Sequence, residues 1–323
     1  MDVPFSGFPH VLEAQQWSRS CLKNFFSRVD HMEKRFRDRS CRDSLRDKTV
    51  ILIFSEPSTR TSTFLTIAAH NLGANVVDIR DPEHLSSVIK GEPFGEMVRV
   101  LSRGLQCGSN GYFGGVIAIR HKQEGIASLV AKESSVPIIN AGDGEGQHPT
   151  QGLLDVYTIQ KTFKRINNLS IAMVGDLKRG RTVRTLSYFL GKFDGVKIFF
   201  VSPPCAQMKD DIKDYLRKHD VTFIESTDLR EVAPQVDVIY QTRTQTERGS
   251  SFDRKDQNLG YFTIDRVILG LMKNHAVIMH PLPKVDEISP EVDDDPRAIY
   301  FTEQLDASII TKMALLEMIL LHL

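Results

Sequence analysis

Cysteine is scarce here and its spacing carries no motif. The four cysteines, Cys21, Cys41, Cys107 and Cys205, include no pair at CxxC spacing. That excludes a disulfide-built scaffold and a zinc ribbon, and free, partly buried thiols in a reducing cytosol are the expectation. The ten histidines contain no HExxH or comparable metal pair. An excess of charge of one sign is missing too: 41 Lys+Arg balance 41 Asp+Glu, for a formal net charge of zero. That argues against a polybasic nucleic-acid surface and against an acidic tail. No apolar run approaches the ~18 residues of a membrane span. The opening MDVPFSGFPHVLEAQQ lacks the basic-then-apolar order of a secretory signal. The expectation is a cytoplasmic protein with no nucleic-acid partner and no membrane association. Internal repeats and low-complexity tracts are also lacking.

What is present is ordinary globular material, 41% hydrophobic and 25% charged, in 323 residues. At roughly 150 residues per domain that is about two domains, each large enough to bury its own core. Apolar, β-branched runs read as buried strands at Thr49–Phe54, Gly115–Ile119, Ser170–Val174, Lys197–Val201, Val236–Tyr240 and Ala276–Met279. Helical patterns separate them at Thr61–Leu72, Gly125–Lys132, Gly152–Phe163, Thr182–Leu190 and Ala206–Lys218. Such alternation predicts an α/β protein with parallel sheets covered on both faces. The break between domains falls near Gln151–Lys164. The apolar end Ile309–Leu323 is expected to pack on a core and to return to the first domain. Arg103–Gly115, with five glycines, reads as a flexible loop.

Ligands of open α/β sheets bind beyond the carboxyl ends of the strands, and the polar motifs stand there. Ser58-Thr59-Arg60-Thr61 sits at a strand-to-helix handover, where backbone N–H groups, hydroxyls and a guanidinium suit a phosphate or carboxylate. An N-cap with a surface arginine fits those four residues equally well. Gly175 to Thr182 has the spacing of a P-loop, but Arg181 replaces its lysine, which disfavours a nucleotide triphosphate. His148, in Gln147-His148-Pro149-Thr150-Gln151, can donate to a carbonyl oxygen gaining charge; taken alone it reads as a helix cap. In Thr242-Arg243-Thr244-Gln245, Arg243 suits a carboxylate and Gln245 an amine or amide; alone, the stretch reads as a solvated loop.

In order along the chain, FSEPSTRT at 54–61, RHKQEG at 120–125, AGDGEGQHPTQGLLD at 141–155, GDLKRGRTV at 175–183, YQTRTQTER at 240–248 and HPLPKVDEIS at 280–289 form one pattern. It strongly resembles the catalytic chains of the aspartate carbamoyltransferase family. The resemblance covers nearly everything from Thr49 onward. It implies two doubly wound parallel-sheet domains: residues 1–150 plus 305–323 binding carbamoyl phosphate, and 151–304 binding aspartate. It implies transfer of a carbamoyl group to the amine of L-aspartate, with no cofactor and no catalytic metal. By position, it implies that Ser58, Thr59, Arg60 and Thr61 hold the phosphate. Arg120 touches phosphate and carbonyl, His148 the carbonyl oxygen, and Gln151 the carbamoyl NH2. Arg181, Arg243 and Gln245 bind aspartate, and Pro281 and Leu282 offer backbone carbonyls to the carbamoyl amide and the amine. Ser86 and Lys90 reach the site of an adjacent subunit in a homotrimer, Lys90 there contacting aspartate; Lys90, with Arg60, Arg120 and His148, counts as catalytic. A separate regulatory chain or a dihydroorotase partner is compatible with the resemblance.

The chain departs from the family pattern at Ser62 (commonly Arg), Lys122 (commonly Pro), Pro93 (commonly Ser or Thr) and Lys284 (commonly Arg), and the stretch from Lys90 to Arg120 looks long. Two rivals are weighed. An ornithine carbamoyltransferase typically reads HCLP, whereas His280-Pro281-Leu282-Pro283 and Arg243 suit an acidic acceptor. A non-enzymatic relative is opposed by the intact set of Arg60, Arg120, His148, Arg181 and Arg243.

Overall fold

The computed structural model describes residues 10–82, 90–105, 114–243 and 262–321. The chain separates into two compact units, residues 1–154 with 307–323 and residues 155–306. In unit 1, helix α1 (Arg19–Arg37) precedes β1 (Thr49–Phe54), α2 (Thr59–Asn71), β2 (Asn75–Arg80), α3 (Phe94–Gly104), β3 (Gly115–His121), α4 (Ile126–Ala131) and β4 (Ile138–Asp143). Helix α5 (Pro149–Phe163) carries the chain into unit 2. There follow β5 (Ser170–Val174), α6 (Arg181–Leu190), β6 (Lys197–Val201), α7 (Asp210–Lys218), β7 (Thr222–Ser226), α8 (Leu229–Val232), β8 (Val238–Gln241), α9 (Arg266–Leu271) and β9 (Val277–Met279). Helix α10 (Glu303–Leu320) returns the chain to unit 1.

Both sheets are parallel, as the strand–helix alternation requires. Their orders are β2-β1-β3-β4 and β7-β6-β5-β8-β9. Each order reverses once. In unit 1 the chain winds outward from β1 to β2, then re-enters on the other side of β1 as β3. In unit 2 it winds from β5 through β6 to β7, then re-enters beside β5 as β8. A reversal sends the loops on its two sides to opposite faces and opens a crevice at the strands' carboxyl ends.

The central strands bury both faces. Ile51, Ile53, Ile117 and Ile119 join Ile126, Val130 and Ile138 in one core of unit 1. Ala172, Val174, Phe199, Val201, Ile239 and Ile278 anchor that of unit 2. The N-terminal segment extends the first sheet: Val11 pairs with Ile139, its N–H donating to the Ile138 carbonyl at 2.8 Å and its carbonyl accepting from Asn140 N–H at 2.8 Å.

The expected strands at 49–54, 170–174 and 197–201 stand at the stated limits, whereas β3 runs on through His121. The Arg103–Gly115 loop needs correction at its ends. Arg103 and Gly104 close helix α3, and Gly115 opens β3 as a buried residue; a Cβ there would lie 2.1 Å from the Thr49 carbonyl oxygen. The middle of that stretch, with Cys107, lies outside the described residues. Cys21 and Cys41 are free and buried, and Cys205 is free and exposed.

Candidate active site

In unit 1 the motif residues gather at the reversal between β1 and β3. Strand β1 ends at Phe54, and Ser58 takes the N-cap position of α2 in an extended conformation without capping the helix through its own side chain. The first-turn N–H groups of Thr59, Arg60 and Thr61 therefore keep their capacity to meet an anion. Ser62 does not reach outward: its hydroxyl donates back to the Ser58 carbonyl and braces the turn. Arg120 lies directly across the ladder, in register with Phe54, and its carbonyl accepts from Ser55 N–H at 2.9 Å. Its Nε is 3.4 Å from Glu56 Oε2, both side chains being largely buried. The ion pair draws the Arg120 side chain to Glu56, in the loop between β1 and α2.

His148 is 5% exposed. Gln151 N–H donates to its Nδ1 at 3.3 Å, and the Thr150 hydroxyl lies 3.2 Å from the same nitrogen. The same N–H donates to the His148 carbonyl at 2.9 Å, so its bond to Nδ1 is shared; the contact favours the tautomer with the ring proton on Nε2. Nε2 lies 3.3 Å from Thr61 Oγ1, at the head of α2. In that tautomer Nε2–H faces Thr61 at the head of α2. Gln151 is half-buried on the first turn of α5.

Two residues that sequence reasoning passed over hold this arrangement. Asp143 ends β4 and accepts from Gln147 N–H at 2.9 Å through one oxygen and from Gly125 N–H at 2.8 Å through the other. It binds the turn after β3 to the turn before α5. Gln147 accepts from Ala14 N–H at 2.8 Å and donates to Gln15 at 2.7 Å. The N-terminal segment thereby grips the residue preceding His148. The partners are more than 130 positions apart, so only fold-level reasoning could have found them. The "AQQ" at 14–16 gave no chemical signal.

Lys90 is exposed. Ser86 lies outside the described residues, as does Gln245.

Unit 2 assembles a second set at the reversal between β5 and β8. Gly175 ends β5 with φ +114°, and a Cβ there would lie 2.3 Å from the Thr242 carbonyl oxygen, so no other residue fits. Thr242 ends β8 and seals the pair, its N–H and hydroxyl each 2.8 Å from the Val174 carbonyl. The loops that leave these strands carry Arg181, the first residue of α6 and 5% exposed, and Arg243, half-buried. Arg181 stands where its carbonyl accepts from the Thr185 hydroxyl at 2.7 Å, which fixes the helix start. Gln241, fully buried where the family resemblance offered no role, donates to the Phe262 carbonyl at 3.1 Å and ties together the two sides of segment 244–261.

Beyond β9, His280-Pro281-Leu282-Pro283 leaves the sheet. Pro281 and Leu282 are half-buried, and Leu282 has φ +51°. Lys284 pairs with Asp293 at 2.9 Å, and Asp293 also accepts from the Tyr300 hydroxyl. Within unit 2 the lysine therefore makes a structural contact, and a point charge suffices for it. No cluster of three or more metal-ligating side chains occurs among the described residues.

Comparison with known proteins follows the same division. The model of the aspartate/ornithine carbamoyltransferase carbamoyl-P binding domain matches residues 9–161, and that of the Asp/Orn binding domain matches residues 167–319. The chain is 44% identical to the chloroplastic aspartate carbamoyltransferase of Arabidopsis thaliana over 311 residues, 96% of this chain and 77% of that one. It is 37% identical to the aspartate carbamoyltransferase catalytic subunit of Thermococcus gammatolerans over 306 residues, 95% of this chain and 96% of that one. Among solved structures, it resembles aspartate transcarbamoylase of Trypanosoma cruzi in complex with N-(phosphonacetyl)-L-aspartic acid. The TM-score is 0.88 at 31% identity, covering 96% of this chain and 95% of that one. The same enzyme in complex with carbamoyl phosphate and aspartate gives 0.87 at 31% identity, with coverage of 99% and 97%.

Proposed function

The chain belongs to the aspartate/ornithine carbamoyltransferase family, and we propose that its two strand reversals recognise the two substrates of one transfer. It is an aspartate carbamoyltransferase in activity: the carbamoyl group of carbamoyl phosphate passes to the amine of L-aspartate, giving N-carbamoyl-L-aspartate and phosphate, an early step of de novo pyrimidine synthesis. The observation that carries the residue assignment is the placement of buried His148, its Nε2 3.3 Å from Thr61 Oγ1 at the head of α2.

In this reading Ser58, Thr59, Arg60 and Thr61 take the phosphate, with Arg120 bridging phosphate and carbonyl. The amine of aspartate attacks the carbamoyl carbon. The carbonyl oxygen gains negative charge, and His148 and Arg120 supply donors that are already oriented for it. Gln151 and the Pro281 carbonyl hold the carbamoyl NH2. Collapse breaks the carbon–oxygen bond to phosphate, and the departing phosphate takes the amine proton. No covalent nucleophile is needed, because the donor is already activated. Arg181 and Arg243 match the two carboxylates of aspartate, Gln245 stands beside them, and the Leu282 carbonyl accepts from the amine. Each charge-assisted hydrogen bond contributes about 1.5–3 kcal/mol.

The finer assignments extend this reading. The active form is a homotrimer in which Ser86 and Lys90 serve a neighbour's site; the exposure of Lys90 supports it. A regulatory chain or dihydroorotase can join that assembly. The protein works in the cytoplasm, in contrast to the plant relatives named chloroplastic. No helix among the described residues is long and apolar enough to cross a membrane.

The test is carbamoyl transfer to L-aspartate and L-ornithine in parallel. Product with aspartate alone is expected, because two arginines at the unit 2 reversal favour a dicarboxylate. Transfer to ornithine, or to neither acceptor from folded protein, overturns the reading.

A further inference from the structure

The loop after β9 carries a polar chain that the reaction as described leaves unused. His280 is buried, its side chain 1% exposed. Leu282 N–H donates to its Nδ1 at 2.7 Å, and Nε2 lies 2.8 Å from Glu287 Oε1. Nδ1 accepts from an obligate donor, so the ring proton stands on Nε2 and is donated to Glu287. Glu287 also accepts from Val285 N–H at 3.2 Å and Asp286 N–H at 3.1 Å. Burial pushes its carboxyl up, but the His280 hydrogen bond, the charge interaction with His280 and the backbone N–H bonds together hold it below its ordinary value. On the other side, His280 N–H donates to Gln304 Oε1 at 3.0 Å, Gln304 donates to Asp155 at 2.8 Å, and the Tyr240 hydroxyl donates to Asp155 at 2.6 Å. The ring is thus fixed from the sheet outward.

What the ring holds is Leu282. Its φ of +51° lies in the left-handed region, which a leucine keeps only when its surroundings impose it. One peptide unit on either side of Leu282 decides where the Pro281 and Leu282 carbonyls point. We propose that His280, with its tautomer set by Glu287, is a positioning residue that holds the Leu282 backbone so that its carbonyl can accept from the amine of the acceptor. The proposal rests on the functional reading above, which assigns that carbonyl to the amine.

The experiment compares wild type, His280→Leu and His280→Asn. Asparagine can place its amide oxygen where Nδ1 stands, so it keeps the Leu282 bond and drops the Glu287 link. Two constants are read with carbamoyl phosphate present: KM for aspartate, and the inhibition constant of succinate, a dicarboxylate without the amine. His280→Leu should raise the aspartate KM about 10-fold or more while moving the succinate constant less than about 2-fold, and His280→Asn should recover to within about 3-fold of wild type. Equal weakening of aspartate and succinate, or asparagine as impaired as leucine, overturns the proposal. If His280→Leu does not fold, Glu287→Leu is read in the same way; an unchanged aspartate KM overturns it. A wild type inactive with aspartate defeats the functional reading instead, so the two failures are distinguishable.

Discussion

A histidine side chain can donate, accept or carry charge, and at His148 the neighbours bias the choice. The shared Gln151 N–H at Nδ1 favours Nε2–H as the donor toward Thr61. On the proposed reading this donor would meet the oxyanion without a proton transfer. Removing one such donor typically costs about 10²–10³ in rate. His148→Ala should lower kcat by about that factor, with inorganic phosphate binding changed little because the α2 N-terminus and Arg60 remain. Steady-state kinetics with a phosphate titration by calorimetry checks both halves, and an unchanged kcat removes the role. The residue types of the proposed site were legible in the sequence because STRT, TRTQ and HPLP follow apolar runs that read as strands and RH ends one; QHPTQ stood out only within the family pattern. Their contacts were not. Thr61 and His148 are 87 positions apart, and only the β1–β3–β4 ladder brings them together.

Elements divide the same way. Strands buried on both faces announce themselves as continuous apolar runs, and β1, β5 and β6 stand where TVILIF, SIAMV and KIFFV place them. The edge strands β2 and β7 went unread because they expose alternate or successive residues, and polar Asp78, Arg80 and Glu225 interrupt their runs. Strand β4 hid its pattern behind Asn140, Gly142 and Asp143, which serve the turn before His148. The N-terminal bridge was the least legible, since pairing with Ile139 places Val11 beside the sheet and its local sequence does not. One consequence is testable. Ile138 N–H donates to His10 Nδ1 at 3.0 Å, and burial pushes the His10 pKa down from 6.5 to about 4. The unfolded chain takes up this proton near 6.5 and the folded chain only near 4. The unfolded state therefore binds more protons in between, and stability falls as pH drops through that window. It is fully present above 6.5. His10→Asn keeps an acceptor at the Nδ1 position and cannot titrate. Urea midpoints measured from pH 7 to pH 5 should fall less steeply in the variant; identical slopes count against the account.

For the whole molecule, the proposed function poses one electrostatic problem. Carbamoyl phosphate and aspartate are both anions, and bringing them together in water costs free energy. On the proposed reading each unit would neutralise one of them beforehand, with Arg60 and Arg120 at one reversal and Arg181 and Arg243 at the other. An additional cation from a neighbouring chain would complete the set, and Lys90, exposed and ahead of α3, is the residue proposed for it. If a site draws Arg60 from one chain and Lys90 from the next, a chain lacking one can be completed by a chain lacking the other. Lys90→Ala and Arg60→Ala homo-oligomers should each lose most activity, because each removes a charge that no other residue replaces. Mixing them after reversible dissociation should regenerate some wild-type sites. In a random trimer mixture each site needs Arg60 from its own chain and Lys90 from one specified neighbour, so about a quarter of sites carry both, and recovered activity should approach that fraction of wild type. Recovery must also fall when one variant is in excess, since intact sites form only between unlike chains. Activity that stays at the level of the separate variants at every ratio, or a monomer by light scattering, places Lys90 outside a shared site.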